Sequence, residues 1–235
     1  RAEAVERIRD AFRRVESVYI ADGHHRCASA VRVSKKRRAA FPDYTGKEEF
    51  NYFLSVLFPD DQLMIMDYNR VVKPGADFDE SGLIDQVKAA FTLEKMGKES
   101  YKPQKKGEIG MYYRDDWYRL TINSRRYTGD PVEDLDVAIL QRELLEPVFG
   151  IADPKVDERI DFVGGIRGLA ELERRVHTDA TVAFAMFPTD IHELFAVSDA
   201  GKLMPPKSTW FEPKLRSGLL LPCIEEPGEG TTGEQ

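Results

Sequence analysis

The residues best suited to bind a phosphate group lie close together near the start of the sequence. The apolar run Val18 to Ala21 is followed by an aspartate, a glycine, two histidines and an arginine, and then by a polar, helix-compatible segment. This order predicts a strand, a tight turn and a helix. A helix starting there would present unpaired N–H groups and the positive end of its dipole to an anion. The candidate cofactor-binding residues are Asp22, Gly23, His24, His25 and Arg26.

Phosphate binding would use the particular chemistry of this turn. Gly23 can adopt a positive φ and leaves space for a ligand beside the backbone. Arg26 could hold a phosphate through two parallel hydrogen bonds. In the structural alternative, Asp22 is only a helix N-cap, Gly23 only a turn residue, and the histidines are ordinary polar residues. Adjacent helical residues point about 100° apart, so the two histidines are not expected to chelate one metal ion. Asp22 could instead help to hold Mg²⁺.

A second group of candidate residues lies in a proline-rich stretch near the C-terminus. Three prolines between positions 205 and 213 restrict the backbone, which would reduce the entropy lost when the loop orders around a ligand. Two ammonium groups and two hydroxyls suit an anionic partner such as a phosphate or carboxylate. In the alternative, the stretch is a stiff connection anchored by Trp210 and Phe211. The candidate substrate or phosphate loop residues are Lys207, Ser208, Thr209 and Lys214.

Other polar positions carry weaker signals. The run from Gly164 to Gly168 lacks the spacing of a Walker box or a dinucleotide fingerprint, so we interpret it as a turn or a secondary contact. Arg70 follows an apolar run and fits either a cleft or a surface loop. His177 and His192 are isolated in the sequence, and neither needs a catalytic role.

Three segments resemble a known family: IADGHHR at residues 20–26, LDVAIL at 135–140 and MPPKSTWFEPKLRSGL at 204–219. Together they are similar to the family called domain of unknown function 1015, and the first resembles the phosphate-binding box of the ParB/sulfiredoxin superfamily. Members of the family are similar to free serine kinases, which phosphorylate L-serine with ADP or ATP. The resemblance implies a nucleotide at residues 22–26, ADP or ATP with Mg²⁺ as cofactor, and a small-molecule substrate.

Two departures from these relatives limit what the resemblance implies. Sulfiredoxins carry a catalytic cysteine at the position of His24, whereas Cys27 lies after Arg26, which disfavours sulfiredoxin chemistry. The serine kinases have a catalytic glutamate well upstream of the box, where this sequence has only Arg1 to Val18. We therefore expect the catalytic carboxylate upstream of Arg1, interpret the sequence as an N-terminally truncated member, and expect it to bind nucleotide but to turn over poorly.

Composition narrows the class of protein. The sequence has 235 residues, of which 42% are hydrophobic, so it is long enough for one or two domains with a core. A formal net charge of −7 argues against sequence-independent binding to DNA or anionic lipid. No run approaches the roughly 20 apolar residues that a transmembrane helix needs. Cys27 and Cys223 are too few for a disulfide scaffold, and cytoplasm is the default location. A homodimer is compatible with these features.

Hydrophobic periodicity predicts an α+β fold, with a mixed sheet covered by helices and the phosphate turn at one strand end. The predicted strands are Val18–Ala21, Asn51–Phe58, Leu63–Tyr68, a hairpin over Glu108–Asn123, Ile160–Val163 and Thr181–Phe187. The predicted helices are Ala2–Glu16, the segment after Gly23, Leu83–Phe91, Asp134 to near Pro147, Ile166–Val176 and a helix capped by Thr189 or Asp190 that runs through Val197.

We predict residues 1–75 as part of the nucleotide-binding region, 76–224 as a C-terminal α+β region packed on it, and 225–235 as a disordered tail. One compact domain remains an alternative. The leading functional hypothesis is a nucleotide-dependent phosphotransferase, by resemblance a kinase of free L-serine or a similar hydroxyl compound. The alternatives are a nucleotide-binding regulatory module like the ParB CTP switch, and a fragment in which the turn is only structural.

Overall fold

The computed structural model describes residues 2–75 and 78–216 and Gly218. The chain divides into two compact units. The helical unit comprises the described residues of Arg1–Gln62 and Pro213–Gln235, and the sheet unit comprises those of Leu63–Glu212. The domain boundary predicted near residue 75 remains a prediction, and the predicted tail at 225–235 lies outside the described residues.

The helical unit contains two α-helices, α1 (Ala2–Phe12) and α2 (His24–Ala40), with 3₁₀ turns at Glu49–Asn51 and Asp60–Gln62. The amphipathic helix predicted from Ala2 is confirmed and ends four residues earlier than expected. The strands predicted at Val18–Ala21 and Asn51–Phe58 are wrong, because the first segment is irregular and the second is irregular after its 3₁₀ turn. A strand needs a hydrogen-bonded neighbour, and the described part of this unit forms no ladder.

The strands of the sheet unit are β1 (Met64–Met66), β2 (Tyr68–Val72), β3 (Phe91–Gly97), β4 (Glu108–Tyr113), β5 (Asp116–Ile122), β6 (Ile160–Gly164), β7 (Val182–Met186) and β8 (Trp210–Glu212). Six of them form a sheet in the order β3-β5-β4-β7-β2-β6, and every neighbouring pair is antiparallel. A second sheet pairs β1 with β8. The α+β class is therefore confirmed, and the strands pair antiparallel throughout rather than in a mixed arrangement.

The predicted hairpin is formed by β4 and β5, with Tyr113 opposite Asp116. Arg114 and Asp115 connect the strands with φ angles of 49° and 62°, as a two-residue type I′ turn requires. The run predicted as a strand at Leu63–Tyr68 behaves differently from expectation. It divides into β1, which pairs with β8, and the start of β2, which pairs with β6 and β7.

Helices cover both faces of the six-stranded sheet. Consecutive strand residues alternate between two cores, so Val72 and Phe184 pack on one face while Val71 and Ala183 pack on the other. The helices are α3 (Leu83–Ala90), α4 (Asp136–Leu140), a π-helical segment (Gln141–Leu145), α5 (Glu146–Phe149), α6 (Leu169–Thr178) and α7 (Ile191–Asp199). The first core is closed by α3, by the helical segment from residue 136 to 149 and by α7, and the second by α6.

Short 3₁₀ turns at Glu80–Gly82, Ser124–Arg126 and Gly165–Arg167 complete the unit. The helix predicted from Asp134 begins two residues later, at Asp136, and the predicted cap at Asp190 is found. Gly150 ends α5 with a φ of 67°, and Asp190 begins α7 in a capping box with Glu193. Among the described residues, no helix combines the length and the hydropathy needed to cross a membrane.

Candidate functional site

Gly23 is the last residue before α2 and has a left-handed backbone, with φ 79° and ψ 27°. The guanidinium of Arg26 folds back over it. A Cβ at position 23 would lie 2.8 Å from Arg26 Nη2 and 3.0 Å from Nε, closer than real contacts allow. The positive φ favours glycine here, and a Cβ would displace the end of the Arg26 side chain. The turn therefore brings a guanidinium directly to the start of a helix.

The start of α2 is open to a ligand. Its first backbone hydrogen bond joins Cys27 N to Gly23 O at 3.0 Å, and no described side chain caps the helix. The rings of His24 and His25 lie together, with centroids 3.9 Å apart and a tilt of 44°. The first turn contains no acidic residue. Backbone N–H groups, the helix dipole and Arg26 thus all present positive charge at this end of the helix, which favours binding of an anion.

Asp22 supplies the one carboxylate of the turn. Its Oδ1 accepts from Gly23 N at 2.8 Å, and its Oδ2 accepts from Lys214 Nζ at 3.2 Å. Partial burial acts to raise the pKa of Asp22, but the Gly23 N–H, Lys214 and the charge of Arg26 together bring that pKa below its ordinary value. Asp22 is therefore ionised at neutral pH. Of the predicted site residues, Asp22, Gly23, Arg26 and Lys214 are brought together within the helical unit.

The other candidate loop residues, Lys207, Ser208 and Thr209, lie in the sheet unit, just before β8. Ser208 is buried, and its hydroxyl donates to Pro205 O at 2.7 Å, so its donor is already used inside the loop. Thr189 Oγ1 donates to Ser208 O at 3.0 Å and fixes the loop to the segment before α7. Lys207 is exposed, has a φ of 54°, and holds its Nζ 5.6 Å from the centre of the Tyr68 ring.

The glycines at 164 and 165 serve packing. A Cβ on Gly164 would lie 2.7 Å from the ring of Trp210, and one on Gly165 would collide with the carboxylate of Asp67. Gly165 N donates to Asp67 O at 2.8 Å. These contacts agree with our interpretation of the segment as a turn.

Sequence reasoning undervalued the buried charged residues of the sheet unit, which among those described are Asp67, Arg70, Glu108 and Asp136. Arg70 is only 3% exposed in β2, and it lines a cavity of about 460 Å³. The one available signal was a charged residue just after an apolar run, which left cleft and surface loop equally open. Asp136 is 8% exposed and begins α4. Burial raises the pKa of Asp136 to about 6, although the Gly107 N–H acts to lower it.

The sequence matches a family of proteins over residues 1–138, more than half of the chain. The family is described as "Protein of unknown function (DUF1015)", and this chain belongs to it. The family resemblance inferred from the three sequence segments is thereby confirmed.

Solved structures give weaker similarities. A mutant free serine kinase in complex with ADP is 13% identical, with a TM-score of 0.38, over 67% of this chain and 58% of that one. A conserved hypothetical protein from Pyrococcus furiosus is 13% identical, with a TM-score of 0.41, over 67% and 60%. A free serine kinase in complex with AMP is 13% identical, with a TM-score of 0.37, over 64% and 54%. The chain thus spans less than two thirds of each of these structures. A comparison with curated proteins gives no match.

Proposed function

We propose that this chain contributes the nucleotide site of a phosphotransferase, in which residues 22–26 hold the phosphates of ADP or ATP. The observation that carries the proposal is the guanidinium of Arg26 folded over a left-handed Gly23 at the uncapped start of α2. A phosphate placed there would accept from helix N–H groups and from two nitrogens of Arg26.

The charges around the turn fit a nucleotide bound with a divalent cation. Lys214 adds a second positive charge beside Asp22. The carboxylate of Asp22 would repel a phosphate directly, but it would attract an Mg²⁺ ion carried by that phosphate. The described residues contain no cluster of three metal-ligating side chains. Asp22 would therefore share the ion with phosphate oxygens and water, and the ion would neutralise charge on the donor.

For the acceptor we propose free L-serine or a similar small hydroxyl compound, on the basis of the sequence resemblance to free serine kinases. Lys207 and Thr209 are the proposed groups of the substrate or phosphate loop, since the Ser208 hydroxyl is bonded to Pro205. Catalysis would depend on positioning and on charge neutralisation at the transferred phosphoryl group. The carboxylate that would orient the acceptor hydroxyl is not assigned among these residues.

Calorimetric titration with ADP, ATP and CTP, each with Mg²⁺, tests the proposal. We expect ADP or ATP to bind, and Arg26→Ala to weaken binding by roughly tenfold or more, because a hydrogen-bonded charge pair is lost. Arg32→Ala is the matched control, since Arg32 is an exposed arginine of the same helix. It should leave the affinity nearly unchanged.

Each other result has a definite meaning. A preference for CTP coupled to dimer formation, without phosphorylation of any small acceptor, would favour the regulatory alternative. If the Arg26 and Arg32 variants lost equal amounts of nucleotide affinity, the positive charge of the helix, and not the turn, would be what attracts the nucleotide. Absence of binding to all three nucleotides would reject a donor site in this chain.

A further inference from the structure

Lys214 contacts the carboxylate of the turn at residues 22–26 from a distant part of the sequence. Its Nζ lies 3.2 Å from Asp22 Oδ2, and both residues belong to the helical unit. The other carboxylate oxygen, Oδ1, accepts from Gly23 N at 2.8 Å. Each oxygen of Asp22 therefore has a donor supplied by the chain itself.

This ion pair changes the balance of charge at the turn. Partial burial acts to raise the pKa of Asp22, and Lys214 opposes that effect through its hydrogen bond and its charge. Arg26 is also close enough for its charge to act on Asp22. With Lys214, two positive side chains accompany one carboxylate, whereas without it the charges of Arg26 and Asp22 cancel. Lys214 therefore determines whether the net side-chain charge at the turn is positive.

The ion pair is exposed enough for its ammonium to be replaced. The side chains of Asp22 and Lys214 are 54% and 45% exposed. A half-exposed pair contributes little to stability, because water screens the charges and the long side chain loses rotamer freedom. The ammonium also sits on a flexible four-carbon stem. Asp22 can thus exchange it for Mg²⁺, which has twice the charge and is commonly bound by one or two carboxylates together with phosphates.

We propose that Lys214 is an internal counter-ion for Asp22, which lets the turn bind a polyphosphate without a divalent cation. When Mg²⁺ accompanies the phosphates, Asp22 exchanges Lys214 for the ion. The turn then accepts both the metal-free and the metal-bound form of its ligand. This inference rests on the proposed function of residues 22–26, and it adds the residue that sets the dependence of binding on Mg²⁺.

A purely structural role for the ion pair is the competing explanation. In that case Lys214 only ties the segment after β8 to the turn. Its loss would then weaken metal-free and metal-bound ligands by the same factor, because a distorted turn is equally unsuited to both. An internal counter-ion predicts unequal factors. The ratio of the dissociation constants without and with Mg²⁺ therefore separates the two explanations.

Calorimetric titration with inorganic pyrophosphate and with ADP, each in EDTA and each with Mg²⁺, measures this ratio. Ionic strength is held constant, because salt screens every exposed charge. We expect both probes to bind in EDTA and to bind more tightly with Mg²⁺. Lys214→Met should weaken binding in EDTA by roughly tenfold, because one positive charge is lost beside a ligand with several negative charges. With Mg²⁺ the loss should stay below about threefold, since the competing ammonium is lost as well.

Asp22→Asn tests whether the two cations compete for this carboxylate. Asparagine keeps an acceptor for Gly23 N but lacks the charge, so the improvement that Mg²⁺ gives should be lost. In this background Lys214→Met should leave the ratio of dissociation constants within about twofold, because the shared carboxylate is gone. A long-range attraction that does not involve Asp22 would change the ratio equally in both backgrounds.

Two further variants are controls for charge. Lys214→Arg keeps the positive charge and should retain binding in EDTA within about threefold of the unmodified chain. Lys47→Met removes the charge of an exposed lysine in the same unit and should leave both affinities unchanged.

Three results overturn the inference while leaving a nucleotide site in place. In the first, ADP binds with Mg²⁺ but neither probe binds in EDTA at roughly 1 mM. In the second, Lys214→Met weakens binding by equal factors in the two conditions. In the third, Lys214→Met changes the ratio as much in the Asp22→Asn background as in the unmodified chain. Absence of binding in both conditions would reject the proposed nucleotide site itself, and the inference with it.

Discussion

Replacing Asp136 by asparagine should make the protein more stable at neutral pH, because the ionised carboxylate is the less favourable form in the fold. Its Oδ2 accepts from Gly107 N at 2.8 Å, and its Oδ1 is buried with no partner among the described residues. Burial is the main cause of the raised pKa, and the charge of Glu193 adds to it. Asparagine keeps an acceptor for Gly107 and removes the charge.

The size of the effect follows from the pKa of Asp136, which is about 6 in the folded chain against an ordinary 3.8. That interval corresponds to roughly 3 kcal/mol at 1.36 kcal/mol per pKa unit. Because the folded pKa is raised, the folded state binds the proton more tightly. The stability contributed by protonated Asp136 is fully present below pH 3.8 and is lost as pH rises through about 6. Since the new amide N–H group also needs an acceptor, we expect a gain of about 1–3 kcal/mol at pH 7.

The assay is urea unfolding of both proteins at several pH values between 4 and 7.5. The difference in unfolding free energy, Asp136→Asn minus the unmodified chain, should rise with pH and level off above the folded pKa. A difference that stays constant across this range would refute the reasoning, since it would show that Asp136 titrates normally.

Asp134, two residues before Asp136, is a control because its pKa is shifted in the opposite direction. Slight burial acts to raise the pKa of Asp134, but hydrogen bonds from the N–H groups of Thr128 and Gly129 bring that pKa below its ordinary value. Its stabilisation is present above the unfolded pKa and is lost on acidification. Asp134→Asn should therefore destabilise the protein at pH 7, and its deficit should shrink as the pH falls.

Three further substitutions test the local geometry. Gly164→Ala should destabilise the sheet unit by about 1–3 kcal/mol in urea unfolding, because the new methyl meets the Trp210 ring; equal stability would show that the ring moves freely. Asp190→Ala removes the α7 capping box and should reduce the unfolding free energy by about 1 kcal/mol. An unchanged unfolding free energy would contradict the capping geometry. Gly23→Ala strains the left-handed turn and displaces Arg26. Titration should therefore show nucleotide affinity falling at least as far as in Arg26→Ala. Unchanged affinity would show that the turn does not bind the nucleotide.

The candidate phosphate turn could be predicted from the sequence because its features are local. Aspartate, glycine and arginine within five residues, ahead of a helical segment, indicate where the chain turns and which groups face an anion. The structure gives Gly23 the predicted positive φ and places Arg26 over it. The contact between Asp22 and Lys214 could not be predicted, since these residues are 192 positions apart.

Local pattern by itself determined several elements of this protein, including the β4–β5 hairpin, α3 and the helix cap at Asp190. In each of these, periodicity, turn chemistry or a cap acts over neighbouring residues. Tertiary structure decided which apolar runs become strands, because strands need hydrogen-bonded partners from elsewhere in the chain, and the run at Asn51–Phe58 has none among the described residues. It also decided that Arg70 and Gln141 line the same cavity, because only the folded chain brings β2 to the π-helical segment.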